Sequence, residues 1–232
     1  MISVVLFYSM KQAPIELRFA AMAVDAVIFG IQNKKLHVLV QNVNRPPHYI
    51  NIPGFPGGLI DKSETAEEAV VRHLADKATL KKVYLEQLYT FSALERDKRN
   101  RVISVGYVGC VEPSIITAFT NDSVRWLPVG SIKKLAYDHG SMFDMAIARL
   151  RGKLAYTTVA QFLLPPTFTL TELQSVYEVI LGTTLDKRNF RKKILALNCL
   201  KETGKMQEGV QNRPAALYTF VSKKLVELSP II

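Results

Sequence analysis

The residues with the most chemistry on offer lie between Gly57 and Leu80, in the stretch GGLIDKSETAEEAVVRHLADKATL. It opens on two glycines, Gly57 and Gly58, which let backbone N–H groups approach a phosphate closely. Ser63 is the expected N-cap of a following helix, and Glu64, Glu67 and Glu68 suit its positive N-terminus. That helix continues to about Ala78 and carries Arg72, His73, Asp76 and Lys77. Arginine forks pair well with phosphates, whereas a hard divalent cation needs carboxylate oxygens. Two readings of Arg72 stand side by side. It contacts a phosphate, or it pairs with Glu68 or Asp76 one turn away, worth about 0.3–0.5 kcal/mol.

The surrounding chain must hold this stretch in place. Ala23 to Gly30 is apolar and β-branched, as in a buried strand. Lys34 and Lys35 make a polar turn, and Leu36 to Val40 returns as a second strand. Arg45 to Gly58 reads as a loop rich in proline and glycine. Leu85 to Phe91 and Val102 to Val111 are further strands. Between them lies ERDKRNR, read either as an anion site or as a solvated hairpin tip. Val124 to Pro128 forms a last strand, and Ser131 onward a helix. Strands interrupted by helices in this order imply a mixed α/β sandwich.

A second domain begins near Lys153. Thr169 and Glu172 form a capping box for a helix ending at Gly182, with Leu173, Val176, Tyr177 and Ile180 on its buried face. A second helix follows in LDKRNFRKKILALN, with Phe190, Ile194 and Leu197 on one stripe and Leu195 turned partly outward. Leu200 to Thr203 and Ala215 to Val221 are strands around a polar loop that includes Arg213. Helix, turn, basic helix, strand, loop, strand is the order of a winged helix-turn-helix. Arg188 and Asn189, near the start of the basic helix, are candidate base readers. Lys187, Arg191, Lys192 and the wing residue Arg213 are candidate DNA contacts, Lys192 and Arg213 mainly to phosphates. The same helix could instead serve solubility or protein contacts.

Composition sets the outer bounds. The chain has 232 residues, is 48% hydrophobic and has a formal net charge of +10. The excess is shared equally on either side of Gly152, so it is denser in the shorter second part. A basic excess suits a polyanionic partner. Cys110 and Cys199 lie far apart and outside any metal-binding spacing, as expected of reduced core thiols in the cytoplasm. The apolar start MISVVLFYSM is too short to span a bilayer and lacks a basic leader. Residues 1–21 read as an edge strand or an N-terminal extension.

Taken together, these motifs resemble the Nudix-related transcriptional regulators, typified by repressors of NAD metabolism that respond to ADP-ribose. The resemblance covers about Val24 to Phe220. Its parts are VDAVIFG, PGG, YLEQLYTF with RDKRNRVISVGY, LAYDHG, FTLTELQSVYEVILG, LDKRNFRKKIL and RPAALY. It implies a Nudix-like ligand-sensing domain at 1–152 and a winged helix-turn-helix DNA-binding domain at 153–232. The spacing of Gly58, Glu64, Arg72, Leu74 and Leu80 keeps the frame of a Nudix box. His73 and Lys77 stand at two of its metal-binding glutamates, Asp76 at a third, and Thr79 at its late glycine.

The resemblance therefore implies a sensor with hydrolysis disabled, no catalytic or metal residues and no cofactor. A small-molecule effector, ADP-ribose, NAD or a sugar derivative, is expected near Gly57, Gly58 and Arg72, with Arg45 and Arg101 as further candidates. The macromolecular partner is a double-stranded DNA operator read by a homodimer. Asp138 and His139 keep the family pattern, as ligand contacts or as a helix N-cap and its neighbour. The stretch YINIPGFPGG and residues Lys98 and Asn100 depart from the family pattern. The competing reading is a working Nudix hydrolase with an appended nucleic-acid module.

Overall fold

The computed structural model describes residues 19–118, 123–209 and 214–230. Seven strands form the first sheet. They are β1 (Ala21–Gln32), β2 (Lys35–Arg45), β3 (Tyr49–Gly54), β4 (Gly57–Leu59), β5 (Tyr84–Phe91), β6 (Val102–Cys110) and β7 (Val124–Pro128). The main path runs β3-β2-β1-β6-β5, with β4 on β1 and β7 on β2. β1 runs parallel to β6 along its length. Its other edge is shared, with β4 antiparallel to Ala23–Asp25 and β2 antiparallel to Phe29–Gln32. That split opens a fork beside Asp25.

Period-2 alternation along β1 makes two cores. Val24, Ala26 and Ile28 face α1 (Ala66–Ala78), against Val70, Leu74 and Ala78. Val27 and Phe29 face the other way, against Met142, Ala146 and Leu150 of α3 (His139–Tyr156). The expected mixed α/β sandwich is thus the observed one. A short helix α2 (Pro113–Thr117) closes one end.

The second core does not stop at the sheet. It continues through a 3-10 turn at Val159–Leu163 into α4 (Leu170–Leu181) and α5 (Lys187–Ala196), including Leu173, Tyr177, Phe190 and Ile194. The capping box at Thr169 and Glu172 starts α4, and Gly182 ends it at φ 71°. Such a left-handed residue favours glycine. β8 (Leu200–Met206) and β9 (Ala216–Phe220) form the wing hairpin, and Phe168 pairs with Tyr218 beside it. α3 runs without a break across Gly152, where the two expected domains meet. Glu86 on β5 accepts from Arg149 and Lys153 of α3, and Arg151 donates to the Ile180 carbonyl of α4 at 3.0 Å. Among the described residues no helix is long and apolar enough to cross a membrane.

Four local expectations are corrected. Arg45 to Gly58 is not one loop, because β3 and β4 form within it and pair with β2 and β1. The N-cap of α1 is Thr65, not Ser63. Thr65 accepts from Glu68 N while the Glu68 carboxylate accepts from Thr65 N, and Ser63 has only Ala66 three residues on. No long helix begins at Ser131. Val129–Ser131 is one 3-10 turn, after which Ala136 N donates to Pro53 O and α3 starts at His139. The turn between β1 and β2 sits at Asn33 and Lys34, both at positive φ, as tight antiparallel hairpins require.

Candidate functional site

The fork beside Asp25 opens into a cavity of about 970 Å³ lined by β1, β2, β4, α1 and the β5–β6 loop. Its wall is built from the two expected glycines. A Cβ on Gly57 would lie 2.1 Å from the Val24 carbonyl oxygen, and one on Gly58 would lie 2.4 Å from the His73 ring. Only glycine lets β4 press this closely between β1 and α1. The α1 side chains then grip β4 by its carbonyls. Lys77 Nζ donates to Gly57 O, and His73 Nε2 donates to Leu59 O at 3.0 Å.

Arg72 lines the cavity, but its guanidinium is held by Glu64 in a bidentate pair, with Nε donating at 2.9 Å. The partner is neither Glu68 nor Asp76. Glu64 is already turned toward β4, where it also accepts from Asp61 N at 2.7 Å. The Arg72 hydrogen bonds and that backbone N–H hold the Glu64 carboxyl down at about 2. Arg45 lies exposed on the rim. Arg101 is placed elsewhere. It donates to the carbonyls of Ser92 and Ala93 at 2.9 Å, tying its own loop together outside the cavity lining.

The β5–β6 loop is not a solvated tip. Arg96 and Asp97 are 4% and 7% exposed. Arg96 Nη2 donates to Asp25 Oδ2 at 2.7 Å, and its Nε donates to Asp138. Ser104 Oγ donates to the same Asp25 oxygen at 2.7 Å. Phe55 N donates to His139 Nδ1, which puts the ring proton on Nε2, 3.4 Å from Asp25 Oδ1. Burial pushes the Asp25 carboxyl up, but His139 and Arg96 outweigh it and hold it below the usual range. Asp97 is locked to Arg99, which lies over the Tyr137 ring. Asp138 holds the N-cap position of α3 without capping it, because its carboxylate faces Arg96. Of this floor, Asp138 and His139 are marked by the family pattern and Arg96 by its charged loop, whereas Asp25 and Ser104 are not. The signal for Asp25 is a lone acid in an otherwise apolar strand.

The donor set does not suit the divalent cation that a Nudix box holds. Magnesium requires oxygen ligands, usually carboxylates. The α1 face toward the cavity offers Arg72, His73 and Lys77, while Asp76 is exposed and outside the lining. Among the described residues no group of three His, Cys, Asp or Glu side chains is arranged to hold a metal.

The second candidate site is α5. Asp186 caps it by accepting from Asn189 N at 2.8 Å. Phe190 and Ile194 are buried, while Lys187, Arg188, Asn189, Lys192 and Lys193 are exposed on the other side. Leu195 is 43% exposed, as the imperfect stripe implied. Arg191 leans back on α4, donating to Thr171 Oγ1 at 3.2 Å. Arg213 lies outside the described residues.

The model of the NUDIX domain matches residues 20–145, and that of the NrtR DNA-binding winged helix domain matches 160–220. The chain belongs to the NrtR family of Nudix proteins. It is 32% identical over 206 residues to the ADPR responsive transcriptional repressor NtrR of Acinetobacter baylyi, covering 86% of this chain and 81% of that one. It is similar in structure to Shewanella oneidensis NrtR complexed with a 27mer DNA. There the TM-score is 0.76 at 33% identity, over 86% of this chain and 93% of the other. The NUDIX domain of the same NrtR complexed with ADP ribose matches 60% of this chain and 94% of its own, with TM-score 0.51 at 28% identity.

Proposed function

We propose that this NrtR-family chain is an ADP-ribose-responsive DNA-binding transcriptional repressor. The observation that carries the reading is a cation-lined cavity and an exposed basic helix joined by one helix, α3, within a continuous core. ADP-ribose has a pyrophosphate suited to Arg45, Arg72 and the Gly57–Gly58 wall, and α5 is suited to the major groove. The solved complexes of the Shewanella relative, one with DNA and one with ADP ribose, support both halves. The protein works as a homodimer, since one recognition helix spans only a few base pairs and two-fold pairing reads matching half-sites.

Hydrolysis of ADP-ribose is not part of this function, because the cavity face of α1 lacks the carboxylates for a metal-generated nucleophile. The test is fluorescence anisotropy of a labelled operator duplex with ADP-ribose added at fixed salt. ADP-ribose should release the DNA, and NAD or sugar phosphates should do so less well. Operator affinity indifferent to all of these ligands rejects the reading. Turnover of ADP-ribose with magnesium or manganese near 1 s⁻¹, at the low end of typical enzymes, would favour the hydrolase instead.

A further inference from the structure

We infer that Lys77 takes the place of the divalent cation, so that this pocket binds a pyrophosphate through a built-in ammonium and without metal. The inference rests on the ADP-ribose reading and says how that ligand's charged centre is held.

Lys77 lines the cavity from α1, half-buried, and is pinned to the wall by its bond to Gly57 O. An ammonium is a compact charge with three donors, able to meet phosphate oxygens as a point charge. Burial pushes its pKa down, Asp25 pulls it up, and Arg45 and Arg72 push it down again. Three cations therefore share one small volume with the Asp25 carboxylate at its floor. Arg72 is paired with Glu64, and a fourth cation in the lining, Arg96, with Asp25 and Asp138. Two adjoining phosphates supply negative charge that such a set of cations attracts, as no neutral ligand does. A magnesium ion at the same point would face an ammonium in place of a carboxylate, with His73 beside it.

The difference from a metal-dependent pocket is directly measurable. Isothermal titration calorimetry on the full chain, with ADP-ribose and separately with inorganic pyrophosphate, is run in magnesium and in EDTA. ADP-ribose affinity should agree between the two buffers within about twofold. Lys77→Met should weaken both ligands by roughly tenfold to a hundredfold, the loss expected for one charged hydrogen bond. Lys77→Arg should recover most of it, which a merely structural role for the lysine stem would not give. Thermal melting of both variants checks that the fold is intact, and Lys77→Gln replaces Lys77→Met if that chain melts early. Binding that requires magnesium, or that survives Lys77→Met and Lys77→Gln unchanged, overturns the inference and leaves ADP-ribose as effector. Pyrophosphate bound in EDTA through Lys77, with ADP-ribose not bound, keeps the inference and removes the effector assignment. Binding of neither ligand overturns both.

Discussion

Asp25 and Arg96 are 71 positions apart in the chain, yet each supplies the other's charge in the pocket floor. Removing one partner leaves a buried charge without compensation, which typically costs about 3–5 kcal/mol. Arg96→Met should lose that much in urea unfolding, and adding Asp25→Asn should recover part of it. Equal and additive losses in the single and double variants would show the two are not coupled. Glu64 gives a second residue-scale prediction. Its carboxyl is held at about 2 against an ordinary 4.5, so the folded state favours the ionised form. That stabilisation is complete above the ordinary value and is lost as pH falls toward 2. The stability difference between the parent chain and Glu64→Gln should therefore shrink steadily across that acid window. A difference independent of pH would contradict it. The sequence showed the charges of ERDKRNR but not their burial, because local charge density argues for solvent. Their partners Asp25 and Asp138 come from distant elements. The changed residues His73 and Lys77 were legible at once, since the box sets their spacing within a single helix.

At the scale of elements, what could be read was what is decided locally. The capping box at Thr169 and Glu172 and the αL glycine at 182 are encoded within a few residues, and α4 begins and ends at them. The start of α3 was not legible. Residues 132–135 have no regular structure and 136–138 turn, with Ala136 tied to Pro53, a long-range bond with no local signature. β3 and β4 were hidden for the same reason, being strands only because β2 and β1 lie alongside. α5 carries the prediction proper to this scale. Arg188→Ala should cost roughly 1–3 kcal/mol on cognate DNA and relax preference at one base pair. Lys192→Ala should weaken all duplexes more evenly and flatten the salt dependence by about one unit per lost contact. A symmetric dimer loses each contact twice. Anisotropy titrations on cognate and scrambled duplexes at several salt concentrations check both. Parent-like binding by both variants would remove α5 as the reader.

At the scale of the whole molecule, one of the two cores of the sheet passes from β1 and β2 through α3 to α4 and α5. Two domains that share their buried residues should not melt separately. Calorimetry should show a single transition, and saturating ADP-ribose should move all of it upward, by about 2.7 kcal/mol at a hundredfold excess over Kd. Two resolved peaks, with only one shifted by ligand, would mean the core is energetically divided near Gly152. Light scattering should return a dimer both free and on DNA, and a monomer in both states would contradict the two-fold reading.

α3 begins at His139 against the pocket floor and ends at Tyr156 beside the reading domain. At 1.5 Å per residue its 18 residues make a lever about 27 Å long. Pivoting such a lever by about 5° carries its far end roughly 2 Å. In the proposed dimer, two ends moving in opposite senses would change the gap between recognition helices by about 4 Å, more than one base-pair step of about 3.4 Å. Half-sites lie one helical turn, or a multiple of it, apart, so half-site spacing is set by the dimer's geometry. On the proposed reading, a motion smaller than a side chain at the pocket end of this lever would be gearing enough to throw two reading heads out of step with the double helix.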